Sequence, residues 1–286
     1  MTNYYNDLKV FFQQAGKFNT PVVLHVEPDL WAYLQRACDI DSAPTVSVKV
    51  ASTGIEELQG LPENATGFAE AIVRLRNKFA ANVLLAYHLS TWGTGEDPSY
   101  SNPSDDRVRW LANRSAAFYH SLRTEFDLVF AEFSDRDAAF KDKIYGDHGA
   151  SWWDPSDYAR NVVYLQTFIA ATRKRLVIWQ IPFGNTKMRA ENNTWNHFQD
   201  NKVEWLLDDP SRSHLEAYVR AGVIAFLFGR GADGATCACD TGDGVTNPPP
   251  INGNVMESLN SDDDGGFFHE RAAAYYNTGV IPLAGR

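Results

Sequence analysis

Apolar positions fall into short unbroken runs separated by longer amphipathic stretches, and this alternation predicts strands and helices in turn. The first run, Val22–Val26 in VVLHVEPD, ends at a carboxylate, a proline and a second carboxylate. A buried parallel strand reads this way, and its C-terminal end is where such a sheet opens to ligand. Four further runs predict strands at 82–89 (NVLLAYHL), 128–133 (LVFAEF), 176–181 (LVIWQI) and 223–228 (VIAFLF). Between them, helical spacing predicts helices at 6–15, 30–38, 106–124, 156–173, 201–221 and 267–277. Another runs from a cap at Asn64 or Thr66 to about residue 80. Asp154-Pro155 reads as a cap followed by a first-turn proline. A short alternation at 46–50 and part of 229–262 are candidates for additional strands.

Strand, long loop, helix, strand is the pattern of right-handed βαβ units, so the expected class is α/β with a parallel sheet. Helix-to-strand joins are tight, whereas strand-to-helix joins are long and hold the Trp, His, Asp and Glu residues. That asymmetry is characteristic of a (β/α) TIM-like barrel, whose active sites lie at the C-terminal ends of the strands. Five strands fall short of a closed barrel, and the chain opens on a helix. The expectation is one barrel domain over 1–286, distorted or lacking its first strands. No G-x-G-x-x-G follows the first strand and no P-loop occurs, so a nucleotide cofactor is not expected.

Composition narrows the partners. A net charge of −10 argues against nucleic acid, since phosphate binding wants a basic face. No apolar stretch is long enough to cross a bilayer. Cys237 and Cys239 are poorly placed to bridge each other, and Cys38 lies far away in sequence, so no disulfide framework is expected. The opening MTNYYNDLKVFFQQ has no apolar signal core, which implies a cytoplasmic protein if this is the true N-terminus. Aromatic residues make up 13% of the chain, with eight tryptophans. Trp31, Trp92, Trp152, Trp153 and Trp195 follow strands, as stacking platforms of a sugar cleft would, whereas Trp110, Trp179 and Trp205 read as core.

The strand ends carry the candidate chemistry. Glycoside hydrolysis needs two carboxyl groups flanking the scissile bond, one of them protonated. Glu27, Asp29 and Glu132 are the candidates for these roles, Glu132 because its apolar surroundings in FAEF favour the protonated form. Asp29 reads equally as the cap of the helix that follows, and Glu132 as a buried acid paired with Arg136. By strand alternation His25 and Glu27 face one side. His25, Trp31, His88, Trp92, Asp135, Trp152, Gln180, Arg230 and Asp233 complete the candidate cleft as substrate-binding residues. Asp135 and Asp137 also read as a solvated loop residue and a helix cap. In 229–254, Asp233, Asp240 and Asp243 can ligate Ca²⁺ or simply make Asp-Gly turns; the turn reading is preferred, and no metal or cofactor is expected.

HVEPDLWAYL resembles the I-E-P-D-S-L-A-N segment of family 6 glycoside hydrolases, and LLAYHLSTWG is loosely similar to their Y-L-D-A-G-H-x-x-W-L. The likeness covers about two strand ends; LVIWQIP and DTGDGV do not reproduce the family's later motifs. It implies a distorted seven- or eight-stranded barrel, a secreted enzyme, and Asp29 as the catalytic acid. It also implies that five strands remain from this point onward. Three functions therefore compete. The first is a glycoside hydrolase acting on an oligo- or polysaccharide through strand-end carboxylates. The second is a metal-dependent hydrolase, deacetylase- or amidohydrolase-like, using His25, His88 and nearby acids. The third is a non-catalytic carbohydrate-binding barrel.

Overall fold

The computed structural model describes residues 1–18, 20–134, 136–186, 198–229 and 267–283. Each of the five apolar runs forms a strand: β1 (Val22–Val26), β2 (Val83–Leu89), β3 (Leu128–Glu132), β4 (Arg175–Pro182) and β5 (Val223–Gly229). They form one parallel sheet in sequential order, β1-β2-β3-β4-β5, so the α/β expectation holds. The sheet is compatible with a distorted barrel, and a closed barrel is not seen among the described residues. The chain divides into two compact units, 1–131 with 163–176 and 132–162 with 177–286.

The first unit begins with α1 (Thr2–Ala15), followed by β1, α2 (Leu30–Ala37), α3 (Ala65–Phe79) and β2. Asn64 caps α3, its side chain accepting from the Gly67 amide at 3.0 Å. A short α4 (Pro98–Ser101) interrupts the loop to α5 (Asp105–Ser121), which precedes β3. β1 pairs β2 from Val22 opposite Val83 to Val26 opposite Tyr87, and β2 pairs β3 from Ala86 opposite Leu128 to Leu89 opposite Ala131. One sheet face buries Tyr87 among Trp31, Tyr119, Phe126 and Phe168. Burying rings of this size contributes about 1.5–3 kcal/mol each, which makes this cluster the main core of the unit.

The N-terminal ends of these strands are tied together by side chains. The Asn82 amide donates to the carbonyls of Ala15, Phe18 and Thr20 at 2.8–3.0 Å, fixing the turn between α1 and β1. Asp127 accepts from the Leu85 amide and from Arg76, both at 2.8 Å. The 46–50 alternation makes no strand. Val46 and Val48 bond singly to the backbone of Ala65 and Glu63, while the Val50 amide donates to the Glu63 carboxylate.

The second unit contains α6 (Ala138–Phe140), the first part of α7 (Pro155–Thr172), most of β4, α8 (Lys202–Leu207), α9 (Ser213–Ala221), β5 and α10 (Phe267–Asn277). Asp154 opens α7 by accepting from the Ser156 and Asp157 amides. The single helix expected over 201–221 is two, because Pro210 cannot donate and Asp209 accepts from the Ser211 and His214 amides. Phe133, Trp153, Tyr158 and Tyr218 cluster in the core of this unit. Next to them Lys202 and Asp200 are completely buried and form a salt bridge at 3.3 Å. Asp200 also accepts from the amides of Ala138 and Lys202, and the lysine donates to the Ser151 carbonyl. Gly184 passes so close that a Cβ there would lie 2.1 Å from the Phe198 carbonyl oxygen, so only glycine fits beside this network.

No described helix is long and apolar enough to cross a membrane.

Candidate active site

His25 lies opposite Ala86 in the β1–β2 register, which puts it on the same face as His88, two residues along β2. The two rings meet there, with Nε2 of His25 2.8 Å from Nδ1 of His88. Phe130, directly opposite His88 on β3, stacks on His25 at 4.4 Å between ring centres. His88 is fully buried. Burial holds His25 down at about 4, and burial reinforced by the neighbouring His25 holds His88 at about 3. Both imidazoles are therefore neutral at pH 7, sharing one proton along the hydrogen bond between them.

β1 ends abruptly after Val26. Glu27 and Asp29 both have positive φ, 42° and 68°, flanking Pro28 in a tight turn closed by the Leu30 amide on the Glu27 and Pro28 carbonyls. Left-handed backbone at non-glycine residues costs on the order of 1–3 kcal/mol each, and such strain concentrates at functional turns. The turn also ends the strand alternation. Glu27 does not continue the His25 side; it lines a cavity of about 500 Å³ with Tyr4, Leu30, Leu34, Val48 and Phe68. Burial and the Glu27 carboxylate beside it hold the Tyr4 phenol well above its ordinary range.

Asp29 turns the other way, and a carboxylate oxygen of Asp29 lies within 4.8 Å of a His88 ring nitrogen. It occupies the N-cap position of α2, yet its side chain makes no capping hydrogen bond. The capping role weighed from the sequence is thus not what holds this carboxylate. The first unit therefore brings Asp29, His25 and His88 together at the C-terminal ends of β1 and β2, and directs Glu27 elsewhere.

Trp31, expected in the cleft, is instead a core residue. It is completely buried against Phe68, Tyr87 and Phe126, and its indole donates to the Val26 carbonyl at 3.0 Å. Helical spacing turns it inward, where it caps the last strand carbonyl. Trp92 is half-buried in a 3₁₀ turn, Thr91–Thr94, directly after β2. Trp110, expected as core, is 45% exposed on α5 with the guanidinium of Arg107 4.0 Å from its ring centre.

In the second unit Glu132 is half-buried and ends β3, two residues beyond Phe130 and on the same face of that strand. Trp152 is half-buried against Ala139 and Phe198. Trp153 is buried, with the Lys202 ammonium 5.3 Å from its ring centre, so it too is core rather than cleft. Gln180 is half-buried near the end of β4, at a positive-φ position (58°) within the strand. Asp137 is completely buried. Asp135, Trp195, Cys237, Cys239, Arg230 and Asp233 lie outside the described residues, as does the loop with Asp240 and Asp243 proposed for calcium.

Two residues of this neighbourhood escaped the sequence reading. Phe130 sits in the middle of an apolar run, and only the register reveals it beneath His25. Tyr33 had a usable signal, since it lies two residues from the inward-facing Trp31 and so on the outer side of α2.

No protein-family model matches this chain, and no curated protein sequence matches it.

Proposed function

We propose that this protein is a hydrolase of glycosidic bonds in a polysaccharide, with Asp29 as the acid that protonates the leaving oxygen and Glu132 as the second carboxylate. The observation that carries the reading is Asp29 itself: a carboxylate on a strained turn at the C-terminal end of a parallel strand, relieved of capping, within 4.8 Å of a neutral His88. Groups this close at a strand end can act on one substrate oxygen. Glu132 closes β3, the strand next to β2, and so belongs to the same class of strand-end positions. The likeness of HVEPDLWAYL to family 6 glycoside hydrolases supports the same role for Asp29.

A metal-dependent hydrolase is the second reading, and one observation favours it. Metal ligation needs deprotonated nitrogen, and His25 and His88 are both held neutral far below pH 7. In that reading His88 and Asp29 hold the ion and His25 orients His88 through the 2.8 Å hydrogen bond.

Sugar release from a panel of polysaccharides, with and without chelator, separates the two. Chelator-insensitive release that falls at least about a hundredfold in Asp29→Asn and in Glu132→Gln is the expected result. Loss on chelation, restored by a divalent metal, favours the second reading. Absence of release from every substrate, with oligosaccharide binding retained, leaves a carbohydrate-binding barrel.

A further inference from the structure

The 46–50 alternation, which makes no strand, forms a wall of the first unit instead. The Val48 amide donates to the Glu63 carbonyl at 3.2 Å, and the Val46 carbonyl accepts from the Ala65 amide at 2.9 Å. From α1 the Tyr5 hydroxyl donates to the Lys49 carbonyl at 3.1 Å. The Glu63 carboxylate is taken up by the amides of Val50 and Ser52. So fixed, this stretch encloses, with residues of α1, α2 and α3, the cavity of about 500 Å³ into which the turn after β1 directs Glu27.

The cavity combines an apolar body with two opposite charges. Leu30, Leu34, Val48 and Phe68 supply apolar surface, and the Tyr4 ring packs on Phe68 with centres 5.7 Å apart. Among its lining side chains only Glu27 and Lys49 carry charge; both are exposed, and neither makes an ion pair with a described residue. The Tyr4 hydroxyl is buried beside the Glu27 carboxylate and makes no hydrogen bond of ordinary length and angle with a described residue. A buried hydroxyl left in this way is costly unless something completes its bonding.

Chemical complementarity selects the ligand. An ionised carboxylate only accepts, and the phenol oxygen beside it has lone pairs to offer as well. This end of the cavity therefore calls for a donor, and an ammonium supplies three protons together with the opposite charge. Lys49 calls for the reverse, an anionic acceptor. A ligand bearing only a cation would be opposed by Lys49, and one bearing only an anion by Glu27, whereas a zwitterion meets both. The volume falls in the range of roughly 300–1,000 Å³ common to small-molecule sites, which leaves room for a bulky apolar group. We propose that this cavity binds a small apolar zwitterion, an amino acid or short peptide with a bulky apolar side chain, through its ammonium on Glu27 and Tyr4 and its carboxylate on Lys49. The site shares no residue with the Asp29–His88 arrangement and does not rest on the hydrolase reading.

Calorimetric titration of the full chain with phenylalanine and with leucyl-phenylalanine tests this. Saturable binding is expected, and the tighter of the two probes identifies the ligand as amino acid or peptide. N-acetylation of that probe, or Glu27→Gln, weakens binding about tenfold or more, the worth of a charge-assisted hydrogen bond. Amidation of the probe, or Lys49→Gln, weakens it about threefold, because that pair is open to solvent. The N-acetyl probe is expected to bind wild type and Glu27→Gln alike, since the partner of Glu27 is already gone; a variant that merely failed to fold would lose this probe too. The probe series on the wild type reads the same pairings with no substitution at all. No saturable binding of either probe, equal affinity for the free-amine and N-acetyl forms, or equal affinity for the acid and amide forms overturns the proposal and leaves the hydrolase reading untouched.

Discussion

In the first unit two histidines are buried next to each other without charge; in the second a lysine and an aspartate are buried next to each other in a salt bridge. The lysine and aspartate lie at zero exposure, and backbone amides and a carbonyl take up their remaining hydrogen-bonding capacity. Nothing is left over for a ligand, so this pair serves architecture: it holds the 138–140 helix and the segment leading into α8. The histidines are handled differently. Desolvation suppresses their protonation, and what remains is a neutral donor–acceptor pair at a strand end with a carboxylate close by. Buried polarity that is fully paired is structural, while buried polarity kept neutral at a sheet opening is available for chemistry.

Breaking the salt bridge should have the largest effect. Asp200→Ala strands the Lys202 ammonium and two backbone amides in the interior, and a loss of about 3–5 kcal/mol is expected, read as a drop in the urea midpoint. If the midpoint barely moves, the pair is not the structural element described here.

Acid should expose the other half of the comparison. In the unfolded chain both histidines take up a proton near pH 6.5, whereas in the fold they resist until about 4 and 3. The unfolded state therefore binds more protons over that window. Stability is full above about pH 6.5 and declines as pH falls toward 4, by about 1.4 kcal/mol per pH unit for the completely buried His88. Urea midpoints taken from pH 7 to 4.5 should fall, and His88→Asn should flatten the slope by about one proton. An unchanged slope in the variant would show that another group carries the acid sensitivity.

A smaller effect is expected at Glu57, which lies between the two cases. Its carboxylate meets Lys9 at 2.6 Å and Lys78 at 3.0 Å, and these lysines hold it down at about 2. Glu57→Gln should cost about 1 kcal/mol or less at pH 7, since both lysines reach solvent. The sign is opposite in origin to that of the histidines. This contribution is present above the ordinary carboxylate range near 4.3 and disappears as pH falls to about 2, so the difference between variant and wild type should close on acidification.

Much of the fold could be read from the chain because its strands are continuous apolar runs bounded by Pro, Gly or charged residues. β1 spans the residues the pattern assigns, and the caps at Asn64 and Asp154 are local signals that tertiary packing leaves alone. The break at Pro210 was equally local, but the apolar spacing on either side concealed it. Ring placement was less legible. Trp31 and Trp153 follow strands and are core, while Trp110 lies on a helix and is exposed, because periodicity identifies a face without saying what covers it. The site was legible as a set of residue types at strand ends. Its internal arrangement was not, since the contact of His25 with His88 depends on register, and the divergence of Glu27 from Asp29 depends on a positive-φ turn.

Asn82 bears on how such a chain can change over time. Its three hydrogen bonds, with those of Arg76 and Asp127, set the strand register from the N-terminal ends. At the C-terminal ends the segment after β1 is tied in by Trp31, whose indole caps the Val26 carbonyl, so change there is confined to the exposed stretches beyond such anchors, where new specificities can arise while the register is kept from the other end.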